Sequence, residues 1–185
     1  MKKTKRDTVT ADMRARLAAN RDGKLTSNQW KEIVTEPLAT LLLLLVPGII
    51  LLRARIFYFV AGGGWAIGLL VVVMLAWVIL RRAGRYARAP IHMGVFRAAE
   101  QFRPFWMFWK AEIFYDEAGQ TMRFHKRLAP AASHNADQRY LIYYLKDRDG
   151  QILLSIAPAE HPDAAGWQPS PAFQSRFAQR QRSKR

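Results

Sequence analysis

The sequence predicts an α+β membrane protein: a two-helix transmembrane hairpin, preceded by short N-terminal helices and followed by a small antiparallel β domain on the cytoplasmic side. Three observations predict this fold class. Residues 56–80 form a run of 25 residues without a charge, a second apolar run at 37–52 lies directly before it, and a period-two pattern with turn signals begins after Arg88. About 20 apolar residues cross the hydrocarbon core of a bilayer, and a helix with no polar face must be buried on every side.

The N-terminal part of the chain is predicted to form two short helices. Residues 11–20 favour a helix that stops near Gly23, and Thr26 with Gln29 matches a capping box that opens a second helix. We expect Trp30, in this second helix, to lie near lipid headgroups, where indole rings are enriched.

Two sharper interpretations of the same segment are weaker. A calcium loop centred on Gly23 would place Ala18 at its first position and Gln29 at its twelfth. An EF-hand needs an oxygen ligand and a bidentate Glu there. A DNA-binding helix-turn-helix would lack a third helix to complete its core.

The two apolar runs are predicted to form the hairpin, with spans near 33–52 and 56–80. Only residues 53–55, which include two arginines, separate the runs, so the helices must be antiparallel neighbours. A turn there leaves both arginines at an interface. One alternative is a turn at residues 62–64, with the arginines snorkelling from the first helix. Another is a single span after a re-entrant or interfacial segment, because Pro47 interrupts the first run.

The distribution of basic residues predicts the orientation. Eight Lys and Arg residues flank the outer ends of the hairpin and two lie in its turn. We therefore expect a multi-pass protein of the inner (cytoplasmic) membrane with both termini in the cytoplasm. The first apolar run begins more than 30 residues into the chain and has no small-residue cleavage site after it, which argues against a removable signal peptide. The absence of cysteine agrees with a cytoplasm-facing protein.

The chain carries a formal net charge of +15. Anionic lipids attract basic residues that lie close to a bilayer, so the membrane explains this charge more simply than nucleic acid does. We expect anionic lipids as partners and no nucleic acid. The predicted headgroup-binding residues follow the second span and end the chain: Arg81, Arg82, Arg85, Arg88, Arg176, Arg180 and Arg182.

The predicted spans contain small residues but no Asp, Glu, Lys or His. Intramembrane ionisable residues usually mark ion and proton pathways, so this pattern argues against a transporter. Gly64 and Gly68 are spaced for close helix packing. They are predicted to pack either on the chain's own first span or on another subunit or a second copy.

The β domain is predicted over residues 81–160. Its clearest signals are two hairpins: residues 110–115 and 121–126 flank an Asp-Glu-Ala-Gly turn, and residues 139–146 and 151–156 flank an Asp-Arg-Asp-Gly turn. Five strands between about residues 90 and 157 predict an antiparallel meander or a small barrel.

An aromatic segment interrupts this domain and is apolar on both faces of a strand. One face fills the small core, so the other must meet lipid, a protein partner or a planar apolar ligand. Lipid or a partner is the first interpretation, because convincing ligand pockets need convergent polar groups. The predicted contact residues are Phe102, Phe105, Trp106, Phe108 and Trp109.

The last segment, residues 161–185, is predicted to be a loop followed by a basic amphipathic helix or tail. Phe173 and Phe177 share a helical face, and the final ten residues contain five basic residues and no acid. Such a segment suits an anionic surface; a frayed terminus is the alternative.

No pattern in the sequence predicts an active site, a cofactor or a metal centre. The four histidines, His92, His125, His134 and His161, lack zinc-ligand spacing, and there is no cysteine, nucleophile elbow or phosphate loop. We therefore expect an integral membrane protein that acts as a non-catalytic accessory or assembly subunit of a larger membrane complex. The alternatives are a stand-alone lipid-binding or membrane-organising homo-oligomer and, less favoured, an interfacial enzyme on an apolar substrate.

Overall fold

A computed structural model of the chain describes residues 9–35, 64–99, 111–129, 138–147 and 150–175, together with residues 43, 55, 58 and 62. The chain divides into two compact units. The first, called the barrel unit, combines Met1–Gln29 with Ala89–Arg185, and the second is Trp30–Arg88.

Helix α1 (Ala11–Asn20) lies where the sequence predicts it. Thr10 is its N-cap and accepts a hydrogen bond from the Met13 N–H at 3.3 Å. The turn that follows the helix closes with Gly23 at a φ of 69°, a left-handed conformation that glycine adopts without steric cost.

Helix α2 covers residues 27–35 of the described chain. The predicted capping box is confirmed: the Thr26 N–H donates to Gln29 Oε1 at 3.0 Å, and the Gln29 N–H donates to Thr26 Oγ1 at 3.3 Å. Each side chain therefore satisfies one backbone donor that the first turn of a helix leaves open.

Helix α3 (Trp65–Arg88) contains the C-terminal part of the long uncharged run. Its uncharged portion ends at Leu80, because Arg81, Arg82, Arg85 and Arg88 follow. The sixteen residues before Arg81 span about 24 Å at the helical rise, against about 30 Å for the hydrocarbon core of a bilayer.

The predicted transmembrane hairpin is therefore wrong as far as the structure describes the chain. Among the described residues, no helix combines the length and the apolar character needed to cross a bilayer. The uncharged run begins at residue 56, but α3 begins at Trp65. The same finding overturns the transmembrane description and the multi-pass inner-membrane localisation that depended on it. Most of the predicted first span, 33–52, lies outside the described residues.

The β strands form a closed barrel in the order β1-β2-β3-β5-β4. Their bounds are β1 Ile91–Ala98, β2 Glu112–Asp116, β3 Thr121–Arg127, β4 Arg139–Asp147 and β5 Gly150–Pro158. Both predicted hairpins are present, as the antiparallel pairs β2–β3 and β4–β5.

The prediction of a purely antiparallel domain is wrong, because β3 and β5 pair in parallel and close the barrel. Strand β4 lies beside β1, which makes the first four strands a Greek key. This strand order is that of the OB barrel, an architecture that by itself implies no particular function. Hairpin signals predict pairing between strands that are consecutive in the sequence. The β3–β5 pair joins strands that are not consecutive, so no local pattern predicts it.

The barrel interior is filled by aromatic rings from four strands. The rings of Phe96, Phe114, Phe124, Tyr140 and Tyr144 meet edge to face, with centroids 5.5 to 6.5 Å apart. Such pairs contribute about 0.5–1.5 kcal/mol each beyond their area burial. These five rings therefore form the packed aromatic core of the described part of the barrel.

A second core covers the outside of β5. Met13 and Leu17 of α1 are buried, and the Ile156 N–H donates to Met13 Sδ at 3.5 Å. Asn20 at the end of the helix donates from Nδ2 to Ser155 Oγ at 2.8 Å. The N-terminal helix is thus part of the barrel unit.

The chain after β5 is fastened to the same unit. A 3-10 helix (Ala164–Trp167) follows a short loop, and the Tyr143 hydroxyl donates to the Trp167 carbonyl at 2.6 Å. Arg21 forms two hydrogen bonds with this segment: its carbonyl accepts from the Ser170 N–H at 3.0 Å, and its guanidinium donates to the Gly166 carbonyl.

Candidate functional site

The most unusual surface among the described residues is the outside of α3. Eight large apolar side chains of this helix are between 57% and 71% exposed: Trp65, Leu69, Leu70, Val72, Val73, Met74, Trp77 and Leu80. Scattered exposed leucines are normal, but contiguous apolar patches on a protein surface mark sites of interaction.

Half of these side chains follow one row of the helix. Trp65, Leu69, Val73 and Trp77 are each four residues apart, and residues at this spacing are neighbours on a helix surface. We call these four residues the apolar ridge. The row continues at the same spacing into Arg81 and Arg85, and Arg88 lies one turn further; these three exposed arginines are the arginine end.

Three of the arginines that follow the apolar ridge have their guanidinium groups over aromatic rings. The Arg81 guanidinium lies over the Trp77 ring, 5.1 Å from its centroid, at the junction of the ridge and the arginine end. Tyr86, only 3% exposed, lies under the guanidinium groups of Arg82 and Arg85 at 5.6 and 4.9 Å. Arg85 also donates to the Tyr86 hydroxyl at 3.2 Å. These cation–π contacts hold the arginines beside the helix.

The predicted packing glycines have different surroundings. Gly64 is buried, whereas Gly68 is exposed and a Cβ added there would have no atom within 4 Å. Gly68 lies in the first two turns of α3, beside the apolar ridge. The open space over its backbone would allow another helix to approach closely.

Of the remaining predicted contact residues, only Trp30 is in the described part of the chain. It lies in α2 and is half-buried. The aromatic residues Phe102, Phe105, Trp106, Phe108 and Trp109 and the C-terminal arginines Arg176, Arg180 and Arg182 all fall in segments that the structure does not describe. Their predicted roles remain predictions.

The barrel carries a polar row that the sequence did not reveal. The strand register places Arg97 opposite Arg139 on one side and opposite Tyr115 on the other, and all three side chains are exposed. Like charges directly opposite each other destabilise a sheet. Arg139 is partly compensated by Glu160, whose Oε1 is 3.8 Å from its Nη2. The three residues are far apart in sequence, so only the register could bring them together.

Other basic residues of the barrel unit have structural partners. Arg16, 6% exposed, donates to the Leu128 carbonyl at 2.6 Å and to Asp12 Oδ2 at 2.8 Å. Arg127 forms a 2.6 Å ion pair with the buried Glu112. Part of the high net charge is therefore paired inside the barrel unit.

Within the described ranges, no group of three or more His, Asp or Glu residues is arranged to hold a metal ion. His92 stacks on Tyr144 with centroids 5.4 Å apart. His161 lies against Trp167 at 4.8 Å, and its Nδ1 accepts from the Asp163 N–H at 3.1 Å. His134 is not among the described residues. Each described contact packs or orients a side chain.

Two buried tyrosines have perturbed acidity. Burial raises the pKa of Tyr143 to about 12, partly offset by Arg21, and burial with the nearby Asp116 raises the pKa of Tyr144. Desolvation disfavours the phenolate in both cases. Both tyrosines are therefore uncharged at neutral pH: Tyr143 donates a hydrogen bond, and Tyr144 packs against other rings of the barrel core.

Comparison of the chain with family models, with characterised proteins and with solved structures finds no significant match. Among the described residues, the exposed apolar surface of α3 is the feature that contacts within the chain explain least.

Proposed function

We propose that this protein is a non-catalytic assembly subunit that associates with a larger complex through α3. The observation that supports this proposal is the set of eight exposed apolar side chains on that helix. Water is a poor environment for a surface of this kind, and its burial against another surface is favourable.

The energetics allow such an association. Burial of a side chain of this size contributes about 1.5–3 kcal/mol when it begins fully exposed. The eight side chains are more than half exposed, so several of them together offset an association cost of about 4–15 kcal/mol. Tryptophan and arginine, both present in the ridge and at its end, are the residue types that most often dominate interfaces.

The barrel unit is the part that such an anchor would present. Its interior is closed by packed aromatic rings, and its N- and C-terminal segments are bound to its outer face. A unit with such a packed aromatic core suits a role in holding a partner.

A second candidate is a homo-oligomer formed through the same helix. The observation that favours it is Gly68, which leaves open space beside the apolar ridge. Small residues at helix interfaces allow backbones to approach closely. The occupant would then be a second copy of the chain.

The test compares the full chain with the double variant Leu69→Gln/Val73→Gln, using native mass spectrometry of the assembly released in a mild detergent. We expect the wild-type protein to carry a stoichiometric partner and the variant to lose it. The conservative variant Leu69→Met/Val73→Ile keeps the surface apolar and should retain the partner.

The outcomes distinguish the two candidates. A foreign subunit of fixed stoichiometry supports the assembly role, and a homo-oligomer that the glutamine variant dissociates supports self-association. If wild type and glutamine variant are the same monomer and behave identically in every association assay, α3 is not an association element and the proposal fails.

A further inference from the structure

We propose that the arginine end of α3 binds the phosphate groups of anionic lipids while the apolar ridge contacts their acyl chains. This inference rests on the proposed function in one respect, that the protein associates through α3, and it puts a lipid surface in place of a protein surface at the apolar ridge. It concerns contact with a lipid surface and requires no helix that crosses one.

The first argument is the division of α3 along its length. Its first sixteen residues carry no charge, and its last eight carry four arginines and no acid. A protein groove that accepted this helix would need an apolar part and an acidic part in the matching order. A lipid surface with anionic headgroups supplies both in that order, because headgroup phosphates lie directly above acyl chains.

The second argument is that the fold itself explains only some of these charges. The helix macrodipole favours cations in the last turn, which accounts for Arg85 and Arg88. Its effect fades within that turn, so it does not account for Arg81. Arg81 and Arg85 are i, i+4 neighbours of like charge, an arrangement that costs the helix about 0.2–0.5 kcal/mol. An external anion would relieve this repulsion.

The third argument is the junction between the two parts. Trp77 is 58% exposed and lies one turn from Arg81, whose guanidinium covers its ring at 5.1 Å. Indole rings and arginines concentrate at the level of lipid headgroups, where one end of the side chain is apolar and the other polar. Trp77 and Arg81 have this arrangement.

The same charges argue against a second copy of the chain as the occupant. Two parallel α3 helices would place their arginine ends side by side, which is repulsive. Two antiparallel helices would place the arginines of one copy against the apolar ridge of the other, where a charge loses its hydration without gaining a partner.

The experiment measures binding of the full-length protein to vesicles by co-sedimentation. One vesicle contains phosphatidylcholine alone, and the other contains equal parts of phosphatidylcholine and phosphatidylglycerol. We expect tighter binding to the anionic vesicle and weakening of that binding as salt is raised. The double variant Arg81→Gln/Arg85→Gln should lose affinity for the anionic vesicle by about 25-fold, since each arginine near such a surface contributes about fivefold.

A matched control removes two charges elsewhere. Lys24→Gln/Arg123→Gln changes two exposed basic residues of the barrel unit and should leave the vesicle affinity unchanged. Far-ultraviolet circular dichroism of each variant establishes that the helices and strands are retained.

Each remaining outcome has a definite meaning. Equal binding to both vesicles, unaffected by the arginine changes, overturns the headgroup inference but keeps α3 as an apolar association element. A loss of affinity in the control as large as in the arginine variant shows a general charge effect and also overturns it. Binding to neither vesicle, with an α3-dependent protein complex still present, replaces lipid by protein. Binding to neither, with no α3-dependent complex, overturns the proposed function as well.

Discussion

Asn20 of α1 donates from Nδ2 to Ser155 Oγ of β5 at 2.8 Å, and neither residue is exposed to solvent. This bond fixes the end of the N-terminal helix to the barrel. Asn20 Oδ1 is buried without a hydrogen-bond partner in the described part of the chain. The contact is therefore a polar link inside a mostly apolar layer.

Asn20→Ala is expected to lower the free energy of unfolding by about 1–3 kcal/mol. The change leaves the Ser155 hydroxyl buried without its donor and also opens a small void. Urea denaturation followed by tryptophan fluorescence measures the difference.

The control is a double-mutant cycle with Ser155→Ala. If the two positions interact as described, the double variant should be less destabilised than the sum of the two single variants. Strict additivity would show that the hydrogen bond makes no net contribution.

Gln29 combines two roles at the start of α2. Its Oε1 accepts from the Thr26 N–H in the capping box, and its Nε2 donates to the Leu154 carbonyl at 2.9 Å. Gln29→Ala should lower the free energy of unfolding by about 2 kcal/mol, because both bonds are lost and the Leu154 carbonyl is left buried.

Thr26→Ser is the matched control, since it keeps the capping hydroxyl and both bonds of Gln29 and should change stability by only a few tenths of a kcal/mol. Thermal unfolding of the two variants in parallel provides the measurement. A Gln29→Ala protein as stable as Thr26→Ser would show that neither bond of the Gln29 side chain contributes to stability.

Local sequence patterns predicted the parts of the fold that depend on neighbouring residues. The capping box of Thr26 and Gln29 and the glycine turn at Gly119 are present, and Gly150 has a positive φ at the start of β5, because each is specified within a few residues. The link from Asn20 to Ser155 was missed. No local pattern indicates this link, because its two residues lie 135 positions apart in the sequence.

The candidate site was predicted only in part. Arg81 and Arg85 are predictable because they follow an apolar run, but the same run predicts a membrane span, whereas α3 contains only sixteen uncharged residues before Arg81. The row of Arg97 and Tyr115 could not be predicted, because it exists only in the register of β1 and β2.

Gly150 is required at the start of β5 for two reasons. Its φ is 138°, which side chains rarely adopt, and a Cβ there would collide with the imidazole of His125. Gly150→Ala should destabilise the protein by about 1–3 kcal/mol, through backbone strain and overpacking together.

Two further variants separate the strain from the collision. Adding His125→Ala to Gly150→Ala removes the collision and should restore part of the lost stability. Gly119→Ala has a φ of 73° but no atom within 4 Å of the added Cβ, so it should show only the strain of about 1–2 kcal/mol. If adding His125→Ala restores no stability, the imidazole moves aside at no energetic cost, and backbone strain alone explains the effect of Gly150→Ala.

Tyr143 makes the stability of the barrel unit depend on alkaline pH. Its pKa is raised from 10.0 to about 12 by burial, so between these values the unfolded chain loses this proton while the folded protein keeps it. The folded state then binds more protons than the unfolded state, and the free energy of unfolding falls as pH rises. The contribution of Tyr143 is fully present below pH 10 and is lost as pH rises towards about 12; a shift of this size corresponds to about 2–3 kcal/mol.

Tyr143→Phe tests this dependence. The variant loses the 2.6 Å bond to the Trp167 carbonyl, so it should be less stable than wild type by about 1 kcal/mol at neutral pH. It should also lose less stability between about pH 9 and about pH 11.5, because one of the groups that titrates only in the unfolded state is gone. Some alkaline decline should remain, since the pKa of Tyr144 is raised as well. Urea denaturation at the two pH values measures both effects, and identical declines in wild type and variant would contradict the assignment to Tyr143.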